Sequence, residues 1–347
     1  MAEDIGSLKG ISAEVRQLVR ADAQRRREAK NILSPKGLQG NYDAGELLHT
    51  TLGGEIRPLT SDDLAAFRQN ARSLGRRFKG GITPRQVIDM SLAVDRKKAR
   101  QEITVAVPAS ARTVRGAGRS ADSLEVRFVT NASKKHGTYR HFVTVQFLGY
   151  PTAIASGALT PAKAASQMRK EGIRFDCDCG RHTYWYRYIA TVGNYNAGRA
   201  ENGYPKIRNP NLAGVACKHV LRVMAEVEGS SVVQNFLERA IAKGRERMDG
   251  TSTIRTSDKA ASKIIQKQAL RPTTHGGRTG DRDYDRARRA LRQQSRATTT
   301  RPTKVASGSK RVSALAGDPK AEAALMGVVQ QLGISREQAI AILQGVK

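Results

Sequence analysis

All three cysteines of the chain lie in two short motifs, Cys177-Asp178-Cys179 and Cys217-Lys218-His219. The motifs offer three thiols and one imidazole, which form a complete tetrahedral ligand set for zinc and leave no position open. Alternate residues of a strand point the same way, so Cys177 and Cys179 can face the metal together, and Cys217 and His219 can meet them from the start of a helix. The sequence therefore predicts one structural Zn²⁺ ion, with Asp178 and Lys218 facing away from it.

Two other interpretations of these residues stay open at this level. His182 could replace one of the four ligands, or the cysteines could be small buried residues that hold no metal. An odd number of cysteines, all between 177 and 217, does not suit a disulfide framework and indicates reduced thiols with a shared local role.

The pattern resembles the SWIM zinc finger, in which C-x-C, a variable spacer and C-x-H lead into a helix similar to Lys218-His219-Val220-Leu221-Arg222-Val223-Met224. The resemblance covers about 50 of the 347 residues, and it implies a module that recognises DNA or protein rather than one particular reaction. The chain departs from the family in its long insert, 180–216, which contains Tyr184-Trp185-Tyr186-Arg187-Tyr188. We expect this aromatic run to be a strand beside the zinc site; the alternative is a platform for stacking unpaired bases.

Working outward from the motifs, the hydrophobic pattern predicts an α+β fold. Alternation with a period of two predicts strands of an antiparallel sheet at 103–107, 124–129 and 139–148, joined by basic loops such as 112–120. Helices are expected at about 160–169, 215–227 and 231–247. Together these elements predict an α+β domain over 100–248, with the SWIM-like zinc site at 177–219.

Residues 1–99 are predicted to form a basic helical region. One helix is expected from Ser12 to Leu33, and a second follows Ser61 with an apolar stripe that reaches Phe78. A third, short helix is expected where Thr83 can cap a first turn that contains Pro84.

The segment 249–316 is predicted to be a basic linker, disordered or extended in the isolated protein. Between 251 and 312, 16 Lys or Arg accompany 4 Asp, and few apolar side chains are present to offset the loss of backbone entropy. Its arginines are the candidate contacts for nucleic acid or an acidic partner: Arg271, Arg278, Arg282, Arg286, Arg288, Arg289, Arg292 and Arg296. Residues 317–347 are predicted to form a C-terminal helical hairpin for docking or self-association.

The charge of the chain points to negatively charged partners. Sixty Lys and Arg against 31 Asp and Glu leave a formal net charge of +29, which repels itself unless polyanions or acidic surfaces neutralise it. We expect nucleic acid, DNA more than RNA, or acidic surfaces of other proteins in a larger assembly. No apolar run approaches the roughly 18 residues of a membrane span, and the start lacks a signal-peptide pattern, so the expected location is intracellular (cytoplasmic) or virion-associated.

The sequence offers little support for catalysis. It contains no phosphate-binding loop, dinucleotide-binding glycine motif, H-E-x-x-H or G-x-S-x-G, and we assign no catalytic residue. Asp281, Asp283 and Asp285 alternate with basic residues, which indicates charge alternation on a short helix rather than a metal cluster. Four isolated histidines are expected to have packing or surface roles: His49, His136, His141 and His275.

These features together predict a non-enzymatic, zinc-stabilised, strongly basic binding and assembly protein. Its most consistent role is a structural component of a nucleoprotein particle such as a phage virion. The alternative is a DNA-binding regulator or accessory protein of recombination or replication. An enzyme stays a third, weaker hypothesis, because active sites need not follow known motifs.

Overall fold

The computed structural model describes residues 13–18, 20–21, 32–42, 48–75, 78, 81–115, 123–132 and 139–269. Strands β1 (His49–Thr50) and β2 (Arg57–Pro58) form a small antiparallel pair. The main sheet contains β3 (Ala106–Val114), β4 (Ser123–Asn131), β5 (Arg140–Phe147), β6 (Ile173–Cys177) and β7 (Thr253–Arg255). These five strands are antiparallel and lie in the order β6-β5-β4-β3-β7.

Helices surround this sheet. In chain order they are α1 (Pro35–Leu38), α2 (Ser61–Gly75), α3 (Pro84–Met90), α4 (Ala93–Glu102), α5 (Tyr150–Ala155), α6 (Pro161–Met168), a π-helical turn (His182–Tyr186), α7 (Arg187–Val192), α8 (Lys218–Gly229), α9 (Ser231–Arg245) and α10 (Asp258–Ala269). Residues 13–18 are also helical. The predicted cap at Thr83 is confirmed, since its hydroxyl accepts a backbone N–H of the first turn. Thr160, where another helix was predicted to begin, caps α6 in the same way.

The sheet separates two hydrophobic clusters. Its inner face, with side chains such as Val126, Val145 and Phe175, joins the main core together with α8 and α9. Its outer face carries a smaller cluster to which Ala261 and Ile265 of α10 belong, and against which Val15 and Leu18 pack. The strand members of this second cluster are Val105, Val107, Ala109, Val129 and Phe142. The predicted α+β class is confirmed.

The first sheet strand differs from its prediction. It begins at Ala106 rather than at residue 103 and continues through Arg112 to Val114, which were expected to lie in a loop. Before Ala106, the Asn131 side-chain oxygen accepts the N–H groups of Thr104 and Val105, both at 3.0 Å, in place of a strand ladder. Long-range pairing with β4 and β7 determines the actual bounds.

The prediction of disorder is wrong for residues 251–269. Ile254 of β7 pairs with Ala111, and α10 buries Ala261 and Ile265 on the outer face. The Gln268 side chain then bonds twice to Ala106: its oxygen accepts the backbone N–H at 2.9 Å and its nitrogen donates to the carbonyl at 3.0 Å. Composition averaged over the whole tract hid this local apolar stripe, whose spacing of three and four residues is helical.

The predicted helix from Ser12 to Leu33 is wrong at its C-terminal end. Leu33 is buried and forms a β-bridge with Tyr204, through two backbone hydrogen bonds of 2.8 Å. Ser34 then caps α1, which has Pro35 in its first turn. A residue that precedes proline is disfavoured in helical conformation, which agrees with the extended conformation of Ser34.

Several predicted features lie outside the described residues. These are the tail from residue 270 with all eight candidate arginines, the Asp281 to Asp285 group, the hairpin over 317–347, and His136 and His275. Among the residues that are described, no helix is both long enough and apolar enough to cross a membrane.

Candidate metal centre

Cys177, Cys179, Cys217 and His219 come together in a single buried cluster. One potential ligand atom from each residue lies within 4.8 Å of all the others, and no side chain of the four is more than 4% exposed. In a tetrahedral site with metal–sulfur bonds of about 2.3 Å, the sulfurs lie about 3.8 Å apart. Small side-chain rotations therefore suffice to bring these four groups to metal-binding distances, and the cluster can hold a metal ion.

Backbone pairing positions the first two ligands. Cys177 is the last residue of β6, where it pairs with Val143 of β5. One residue later, the backbone N–H of Asp178 still donates to the Phe142 carbonyl, at 3.3 Å. Cys179 lies just beyond the sheet, rather than on the strand as predicted, and its sulfur accepts the His182 backbone N–H at 3.3 Å. This bond helps to orient the Cys179 side chain at the cluster.

The start of α8 positions the other two ligands. Cys217 occupies the N-cap position in extended conformation, and its carbonyl accepts the Leu221 backbone N–H at 3.0 Å. Burial opposes ionisation of Cys217, but hydrogen bonds from the Cys177 and Cys179 thiols and from the Val220 N–H hold its pKa well below the ordinary value. The positive end of the helix acts in the same direction.

His219 has the properties of a metal ligand. Burial lowers the pKa of its imidazole, so the ring is neutral at pH 7, which is the form that binds metals. Within the described residues, neither ring nitrogen has a hydrogen-bond partner although both are buried. A buried, unbonded imidazole is costly, and coordination of one nitrogen by a metal removes part of that cost. The donor set thus fits a tetrahedral metal ion.

The structure does not favour His182 as a replacement ligand. Its ring nitrogen Nε2 lies 3.1 Å from Asp176 Oδ1, and the residue contributes to the cluster through its backbone N–H instead. Arg187 holds the same carboxylate, with its Nε 3.1 Å from Asp176 Oδ1. Asp176 and Arg187 thus fix the turn that follows Cys179.

His141 and Asp178 lie beside the cluster, which the sequence analysis missed. His141 Nδ1 is 2.8 Å from Asp178 Oδ1, and the His141 ring packs against the His219 ring with centroids 4.3 Å apart. The expectation that Asp178 faces away is wrong, because its carboxylate oxygen also lies 3.9 Å from Cys177 Sγ. The pairing of β5 with β6 creates this contact between residues 37 positions apart.

Helix α4 anchors the segment that follows Cys179. Asp95 of this helix is buried and receives two hydrogen bonds from Arg181, at 3.1 and 2.8 Å, and one from the Tyr186 hydroxyl at 2.5 Å. The Arg181 guanidinium also lies over the Trp185 ring, 3.6 Å from its centroid. On the other side, Lys218 pairs with Glu102 at the end of α4.

The aromatic run 184–188 is helical, and the predicted strand is wrong. It spans the π-helical turn and the start of α7. Tyr186 and Tyr188 are buried, and Tyr188 packs edge-on against Tyr204 with ring centroids 5.1 Å apart. These rings pack inside the domain, so they do not form a stacking platform for bases. His49 lies on β1 and takes no part in the ligand cluster.

Comparison with protein-family models, with curated proteins and with solved structures finds no match to this chain. Its chemistry is therefore inferred from the residues themselves.

Proposed function

We propose that the cluster binds one zinc ion as the structural centre of a SWIM-like recognition module. This proposal rests on the number and burial of the candidate ligands. Three cysteines and one histidine lie together, and all four are buried. Thiolate and imidazole donors suit zinc, and four protein ligands leave no position for water or substrate. Zinc would then tie Cys177 and Cys179, at the end of β6, to Cys217 and His219, at the start of α8, across the 37 residues that lie between Cys179 and Cys217.

The function that this arrangement supports best is a non-enzymatic binding and assembly role. With a net charge of +29, the protein can neutralise the phosphates of a nucleic acid, and such contacts give affinity and orientation without reading the sequence. The role we propose is a structural component of a nucleoprotein particle such as a phage virion, in which basic segments lie along DNA or along acidic neighbours. The metal supplies rigidity, and the basic residues supply binding.

The tail arginines give this proposal its first test. One full-length variant replaces all eight, Arg271 to Arg296, by glutamine, and a matched variant replaces them by lysine. Each phosphate contact contributes about 0.9 to the slope of log affinity against log salt. The glutamine variant is expected to lose several units of slope and the lysine variant very little, as measured by fluorescence anisotropy with duplex DNA. Identical binding by all three proteins would show that the tail does not contact DNA.

A second test separates a particle component from a regulator. Quantitative mass spectrometry of native particles should find the protein at a fixed copy number relative to the other particle proteins. Its absence from purified particles, combined with DNA binding by the isolated protein, would favour the regulator or accessory role instead.

A further inference from the structure

A row of lysines runs along the exposed side of α10. Lys259, Lys263 and Lys267 are spaced four residues apart, so they form one stripe about 12 Å long. All three are exposed, whereas Ala261, Ile265 and Gln268 on the opposite side of the helix are buried against the sheet. The helix thus presents a purely basic edge to the surroundings of the domain.

This row has no internal counter-charge. None of the three lysines forms an ion pair within the described part of the chain, and like charges at a spacing of four destabilise a helix. The remaining exposed positions of α10 are small or polar: Ser262, Gln266 and Ala269. A repulsive row that no described residue pairs with favours an anionic partner.

The open part of the outer sheet face continues the positive charge. Arg112, Arg127, Arg174 and Arg255 alternate with inward-facing residues on four different strands. Among the described residues, Arg127 Nε and Arg174 Nε are buried and have no hydrogen-bond partner. The side chains between the arginines are short and polar, such as Ser110, Thr144 and Gln146.

The carboxylates of this face already have partners. Glu125 accepts hydrogen bonds from Arg112, at 2.9 Å, and from Gln146 at 3.3 Å. Asp176 is held by Arg187 and by the His182 ring. Glu125 also acts electrostatically on Arg127, but within the described residues neither acid forms an ion pair with the lysine row, so the excess charge of the face is positive.

The helical residues 13–18 bring a second basic element to the same side. Val15 and Leu18 pack on the outer cluster, and Glu14 pairs with Arg140 at the start of β5. Arg16 and Arg20, one helical turn apart, are exposed. We name the set formed by these two arginines, the three α10 lysines and the four sheet arginines the outer basic layer.

We propose that the outer basic layer binds the phosphate backbone of a nucleic acid. This inference rests on the proposed function and assigns its binding surface to the folded domain, in addition to the tail. An acidic protein is a poorer fit, because protein interfaces are built around buried aromatic and apolar residues, whereas the exposed positions of α10 are basic, small or polar. Backbone phosphates are contacted by Lys, Arg, Ser, Thr and Gln side chains, which this surface supplies.

The test uses two full-length variants that remove the same charge from opposite sides of the sheet. The first is Lys259→Gln, Lys263→Gln and Lys267→Gln. The control is Lys97→Gln, Lys98→Gln and Arg100→Gln on α4, a helix that packs into the main core through Ala99 and whose three basic residues are also exposed. Binding to a duplex DNA and to a single strand is measured by anisotropy over a range of salt concentrations, and circular dichroism verifies that both variants are folded.

The proposal predicts that the α10 variant loses on the order of tenfold or more in affinity and about two to three units of salt slope, while the control changes little. Equal losses in both variants would show a general charge effect and would overturn it. Wild-type binding with no loss in the α10 variant would overturn it as well, but would leave the proposed function intact through the tail. If wild type bound no DNA at all, the proposed nucleic-acid function itself would fail.

Discussion

The two faces of the central sheet differ in almost every physical property. On the inner side, four metal-ligating residues are buried together, and the neighbouring charges are paired, as Asp95 is with Arg181 and Lys218 with Glu102. On the outer side, lysines and arginines are exposed or incompletely bonded, and the apolar cluster lies beneath α10 and residues 13–18. Charged groups that are already paired within the protein stabilise the fold, whereas charged groups with few internal contacts can bind another molecule. We therefore propose that one face contributes mainly to stability and the other to recognition.

Removing a metal ligand should have the largest effect. The variant His219→Asn is expected to lose the metal and to unfold the region around β6 and α8, because structural zinc contributes about 10 kcal/mol or more to folding, as much as the whole stability of many domains. Elemental analysis and thermal melting measure the two losses. His49→Asn is the control, since His49 lies outside the cluster, and it should keep metal and stability. A folded, equally stable His219→Asn protein would contradict a structural centre.

The Asp95 contacts should give the next largest effect. Asp95→Asn leaves Arg181 partly buried without its charge partner, and breaking such a pair typically costs about 3 to 5 kcal/mol. We expect the lower half of this range, because Arg181 keeps 31% exposure to water. Urea unfolding measures the change, with Asp62→Asn as a control in which an exposed carboxylate is removed. Equal stability of the two variants would show that α4 does not anchor the segment after Cys179.

A smaller effect is expected at Gln268. The variant Gln268→Ala removes both hydrogen bonds to Ala106 and leaves two buried backbone groups unpaired, at a cost of about 1 to 3 kcal/mol. Hydrogen exchange should become faster in α10 and at the start of β3, but not at the metal centre. Gln266→Ala, at an exposed position of the same helix, is the matched control. Faster exchange around Cys217 would mean that the two faces are more strongly coupled than the structure indicates.

The smallest predicted change sharpens the contrast between stability and binding. Lys263→Glu replaces two repulsive pairs, with Lys259 and Lys267, by two attractive ones, and each such pair is worth about 0.2 to 0.5 kcal/mol. The helix should therefore exchange its amide protons slightly more slowly, while DNA binding weakens. Improved stability together with unchanged DNA affinity would remove Lys263 from the binding surface.

Local patterns predicted most helix starts well, and they identified the four residues that the structure brings together as a possible metal site. The ligand set is complete in two tripeptides, and the caps at Thr83 and Thr160 depend on residues three positions away at most. Contacts between distant segments were not predictable in this way. His141 meets His219 only because β5 pairs with β6, and Leu33 pairs with Tyr204, far along the chain.

Two further predictions were wrong: one relied on composition averaged over a long segment, and the other on the preference of aromatic residues for strands. Composition over a long basic tract concealed the stripe of Ala261, Ile265 and Gln268, so a folded helix was predicted to be disordered. Aromatic residues favour strands in general, but those at 184–188 pack as a helical segment against Asp95, Tyr204 and the cluster. In both places the tertiary contacts determine the local structure.

We propose a closed, structural metal centre on one face of the sheet and a nucleic-acid binding surface on the other. Zinc-edge X-ray absorption of the full-length protein, recorded with and without DNA, tests it most directly. The prediction is three sulfur neighbours at about 2.3 Å and one nitrogen at about 2.0 to 2.1 Å, unchanged when DNA is added. Absence of zinc, an oxygen ligand in its shell, or a shell that changes on DNA binding would contradict the account.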